Sequence, residues 1–89
     1  MSIFVLLTTK ETPEFETKVS VSFGSDSLKI APNQWLVSSA EKTTTKEILE
    51  SLGAEKGAFG QVVAFAISGY YGWHRTEIWE WIKSRWETA

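Results

Sequence analysis

The sequence predicts an α+β domain, and three observations carry that prediction. Two unbroken apolar runs, Ile3-Phe-Val-Leu-Leu7 and Gln61-Val-Val-Ala-Phe-Ala-Ile67, have the length and β-former content of strands covered on both faces. Thr44-Thr-Lys-Glu47, followed by Ile48, Leu49 and Leu52, has the spacing of a capped amphipathic helix. At about 100° per residue, Ile78, Trp79, Ile82 and Trp86 share one arc, so a second amphipathic helix closes the sequence.

The elements follow in order. Ile3–Thr8 reads as a central strand. Thr12 is placed to cap a helix whose first turn accepts Pro13, because the missing N–H of proline costs nothing there. Phe15, Val19 and Phe23 recur with helical spacing, yet Val19-Ser-Val-Ser-Phe23 also alternates like a strand, and the residues alone leave both open. Gly24-Ser-Asp-Ser27 ends that element, Leu28-Lys-Ile30 alternates briefly, and Pro32-Asn33 turns the chain into the strand Gln34-Trp-Leu-Val-Ser38. The helix capped by Thr44 ends at Gly53, where a left-handed residue stops it. The glycines of 53–60 resemble a phosphate cradle, but they precede a strand and lack the helix N-terminus that holds an anion, so they read as a flexible connection. Ser68-Gly-Tyr-Tyr-Gly72 breaks the next strand, and Thr76 with Glu77 opens the last helix as cap and first-turn acid. With a helix after Pro13, this order is that of a ferredoxin-like βαββαβ sandwich with an additional C-terminal helix, in one domain spanning residues 1–89.

Composition narrows the functional classes. The chain is 43% hydrophobic and 22% charged, close to globular averages of roughly 45–50% and 25%, so it can bury a core. The absence of cysteine excludes a disulfide framework and thiolate metal sites, and a cytoplasmic home is expected. A net charge of −2 gives no general attraction for polyanions, so nucleic acid is not the favoured partner. No apolar run reaches the roughly 20 residues that cross a bilayer, and no signal peptide or membrane partner is expected.

The spacing of Gln34-Trp-Leu-Val, Thr44-Thr-Lys-Glu-Ile48, Val62-Val63 with Ile67-Ser-Gly69, Gly72-Trp73 and Trp79-Glu-Trp-Ile-Lys83 resembles that of the small SinR-like proteins. That family is itself similar to the CRISPR adaptation protein, with a ferredoxin-like fold and a dimeric habit. The resemblance covers nearly the whole chain and implies a helix after Pro13. It implies fold more than activity, because it rests on aromatic and strand positions. Nuclease proposals for the CRISPR relatives depend on a metal-binding aspartate at the end of the first strand, whereas Thr8-Thr9-Lys10 stands there in this chain. A hydroxyl does not offset the dehydration of a divalent cation as a carboxylate does, so no metal, cofactor or catalytic residue is expected.

The single histidine, His74, lies near Glu77 and Glu80, but the adjacent Arg75 repels a cation, and an exposed loop histidine is the plainer reading. Six aromatic residues crowd the region from Tyr70 to Trp86. Trp79 and Trp86 belong to the apolar arc of the last helix, while Trp81 lies roughly 60° outside it. Tyrosine and tryptophan anchor protein interfaces without needing net charge, so Tyr70, Tyr71, Trp73, His74, Arg75 and Trp81 are the candidate interaction residues. The expected function is therefore non-enzymatic: homodimerisation or binding of another protein through the sheet face and the aromatic end. Nucleic-acid binding or processing of the CRISPR-adaptation type is the alternative, with bases stacked on those aromatics. Strands apolar on both parities require a cover for the second sheet face, either the last helix or another chain.

Overall fold

In a computed structural model that describes residues 2–40 and 44–86, the apolar runs become four strands of one antiparallel sheet. They are β1 (Ser2–Thr8), β2 (Ser27–Ala31), β3 (Gln34–Ser39) and β4 (Val62–Ala66). Three helices accompany them among the described residues: α1 (Pro13–Phe23), α2 (Thr45–Ser51) and α3 (Thr76–Trp86). The strand order is β2-β3-β1-β4, with every neighbouring pair antiparallel. The units β1-α1-β2 and β3-α2-β4 therefore interleave, and β2 and β4 form the two edges.

The divided signal after Pro13 resolves as a helix because the four-residue spacing buries more. Phe15 and Val19 are buried and Phe23 half-buried on one face, whereas Val21, which strand alternation would have turned inward, is 78% exposed. Pro13 occupies the first turn as expected, but Thr12 does not cap through its side chain. Its Oγ1 donates to the Lys10 carbonyl at 3.2 Å, and its own carbonyl takes the N–H groups of Phe15 and Glu16.

Local chemistry specifies α2 at both ends. The Glu47 N–H donates to Thr44 Oγ1 at 3.1 Å, and the Thr44 N–H donates to Glu47 Oε1 at 3.0 Å, completing the capping box. At the other end the Ala54 N–H reaches the Leu49 carbonyl and the Gly53 N–H the Glu50 carbonyl, a Schellman pair that requires the φ of +69° held by Gly53. α3 begins at Thr76 itself, with the Ile78 N–H on the Arg75 carbonyl, so Thr76 stands inside the first turn and not ahead of it.

Period-two alternation divides the sheet's side chains between two cores. Phe4, Leu6, Trp35 and Val37 face α1 and α2, where they meet Phe15, Val19, Ile48 and Leu52. Phe15 meets the Trp35 ring edge-on, at a centroid distance of 5.2 Å and an angle of 81°. On the opposite face Ile3 and Leu36 meet Ile78 and Ile82, one turn apart on α3. The last helix thus covers β1 and β2 on this face of the sheet. No helix among the described residues is long and apolar enough to cross a membrane.

Candidate interaction surface

The cover is incomplete, and what it leaves open defines the site. α3 packs on β1 and β2, and half-buried Val5, Leu28, Ile30 and Ile67 fill the margin of its contact. β4 lies beyond that margin. In the register with β1, Val63 stands opposite Leu7 and Phe65 opposite Val5, all on the α3 side of the sheet. Val63 remains 42% exposed and Phe65 53% exposed, beside half-buried Leu7 and Val5. An apolar strip therefore runs along the β4 edge.

Bonds along the opposite edge hold α3 where it is. At the start of the helix, Arg75 Nη2 donates to the Lys29 and Ile30 carbonyls of β2, at 3.3 Å each. At its end, Trp81 Nε1 donates to the Ser25 carbonyl at 3.3 Å, the Arg85 guanidinium lies 4.2 Å over the Trp81 ring, and Arg85 pairs with Asp26 at 3.3 Å. Arg85 Nη2 adds a bond to the Ser25 carbonyl. Trp81 lies outside the Ile78/Ile82 arc because it reaches sideways to the turn before β2, and its indole is engaged within the chain.

The segment 67–75 leaves β4 with the Ile67 N–H bonded to the Ile3 carbonyl and reaches Arg75 beside β2. Tyr70 packs onto the helix on the way, stacked with Trp79 at 5.9 Å and edge-on to Trp86 at 5.2 Å. Tyr71 and Trp73 are fully exposed. The His74 ring is exposed and accepts the Arg75 N–H through Nδ1 at 2.8 Å, while Arg75 pairs with Glu77 at 3.3 Å. Of the six residues singled out by sequence, Tyr70, Arg75 and Trp81 hold the helix and segment together, and Tyr71, Trp73 and His74 face outward. Val63 and Phe65 were not among the six. Their composition was visible as a strand apolar on both parities, but its position at an edge, beyond the reach of α3, was not.

At the far end of β4 a cleft of about 560 Å³ opens between the end of β1 and the 54–61 loop, lined by Leu7, Thr8, Glu55, Val62 and Val63 among others. Thr8, at the end of β1, is buried, and its Oγ1 donates to the Lys10 carbonyl at 2.8 Å. Among the described residues Glu55 is the one ionisable side chain lining this cleft, and its negative charge opposes phosphate. No group of three His, Asp or Glu side chains able to hold a metal occurs among the described residues.

No protein-family model matches the chain, and no curated protein matches it significantly.

Proposed function

We propose that this protein is a ferredoxin-like βαββαβ domain of the SinR-like kind, extended by a helix, which works without catalysis by associating with itself or with another protein. The strand order β2-β3-β1-β4 and the common face of α1 and α2 support the fold assignment. The observation that carries the function is the exposure of Val63 and Phe65 on an edge strand with no charged residue between Gln61 and Ile67. An apolar strip of this kind on a small protein marks an interface, and fully exposed Tyr71 and Trp73, on the segment that follows β4, add rigid aromatic surface. Light scattering after size exclusion, over a concentration series, tests the reading. Self-association that weakens in Phe65→Glu supports it, whereas a mass that ignores both Phe65→Glu and Trp73→Ala removes this surface from the function.

Full exposure of Tyr71 and Trp73 next to Arg75 also favours a second reading, the stacking of single-stranded nucleic acid. Binding titrations with single-stranded DNA and RNA at several salt concentrations decide it, because each phosphate contact adds about 0.7 to the logarithmic salt slope.

A further inference from the structure

We infer that the partner of β4 is the β4 strand of a second copy, paired antiparallel about a two-fold axis through Ala64 to give one continuous sheet of two four-stranded halves. This inference rests on the proposed function and names its partner and register.

The two edges of the sheet contrast. An exposed edge strand presents unpaired N–H and C=O groups, which proteins shield with bulges, charges or a covering element. The β2 edge has all three. Its register shifts between Lys29 and Ala31, Lys29 forms a 2.7 Å ion pair with Glu16, and the Arg75 guanidinium occupies the Lys29 and Ile30 carbonyls. β4 has none of these devices: its register with β1 runs unbroken from Val62 to Ala66, and it carries no charge.

The strand register points the same way. The Ile67 N–H points to β1, where it meets the Ile3 carbonyl. By alternation Phe65 and Val63 also point their backbone groups at β1, so those of Val62, Ala64 and Ala66 point outward. A two-fold axis at Ala64 pairs every strand residue, Val62 with Ala66 and Ala64 with itself, closing about six hydrogen bonds in three two-bond pairs. Any shifted register leaves strand residues without a partner. The same axis sets Val63 opposite Phe65 of the second copy in the closer, non-hydrogen-bonded pairs, and it does so twice. Aromatic and β-branched residues make favourable cross-strand pairs, and here they cover the two residues that α3 leaves bare. On the α2 side the axis meets only Ala64, whose side chain crowds nothing across it.

Two double variants test partner and register together, both at exposed positions of the monomer. Val63→Lys/Phe65→Lys places like charges opposite each other at both pairs and is expected to yield monomer. Val63→Lys/Phe65→Glu places opposite charges there and is expected to retain the dimer, more weakly as salt rises. Ala64→Cys, in a chain without other cysteines, is expected to cross-link at the axis under mild oxidation. A wild-type chain that stays monomeric to about 1 mM, roughly the 4 kcal/mol limit of weak association, overturns the second-copy partner and self-association with it. A dimer indifferent to both double variants overturns this inference alone, leaving association through another surface.

Discussion

Truncating Phe65 to alanine should weaken dimerisation about sixtyfold while leaving the monomer folded. A buried aromatic side chain contributes 150–250 Å², and Phe65 is 53% exposed, so on the order of 100 Å² per copy remains available for burial. A neighbouring strand covers one side of the ring, about half of that area. At about 25 cal/mol per Å² this is roughly 1.2 kcal/mol per copy and roughly 2.5 kcal/mol for the two copies of a dimer. Every 1.4 kcal/mol is tenfold in the dissociation constant, which gives the factor of about 60. Sedimentation velocity over a dilution series measures the shift, with a thermal melt as the control for folding. A change below about threefold in a variant that melts like the wild type would show that Phe65 is not at the contact.

Three further outcomes test the frame around this surface. Ile82→Ala removes one of two side chains that α3 buries, so denaturant unfolding should show a loss of about 2–4 kcal/mol; a loss under 1 kcal/mol would mean that the helix does not close the sheet. Arg75→Ala strips the guanidinium from the Lys29 and Ile30 carbonyls, and light scattering should then detect species larger than a dimer as the second edge becomes open to pairing. An unchanged mass distribution would contradict the shielding role of Arg75. The Ser38 hydroxyl is buried with no hydrogen-bond partner among the described residues, so Ser38→Ala should raise stability by about 1 kcal/mol, and a marked loss in urea unfolding would refute that account.

What could be read from the sequence was what short-range chemistry decides. Thr44, Glu47 and Gly53 specify both ends of α2 through contacts a few residues apart, and they form as their spacing implied. For α1 the residues left two periods in competition. Burial of Phe15 and Val19 against Trp35 and Leu52, which are distant in sequence, settled it as a helix. The surface depends still more on distant partners. Trp81 finds its acceptor at Ser25 and Arg75 finds its acceptors on β2, contacts between residues some 45 to 56 positions apart that no periodicity encodes. Edge status is equally non-local: Ile3–Leu7 and Val62–Ile67 look alike as apolar runs, yet only β4 is left with one side unpaired, because strand order follows from how the two crossovers interleave. The aromatic concentration was conspicuous in the sequence, but only the folded chain separates Tyr70, which packs on α3, from Tyr71 and Trp73, which do not.

Amide hydrogen exchange along β4, measured by NMR at low and high protein concentration, tests the central claim most directly. The account predicts an alternating response: Val63 and Phe65, whose N–H groups face β1, are protected at both concentrations, while Val62, Ala64 and Ala66 gain protection only as the concentration rises. Exchange at those three residues that stays fast at the highest concentration, or is equally slow at both, would contradict it.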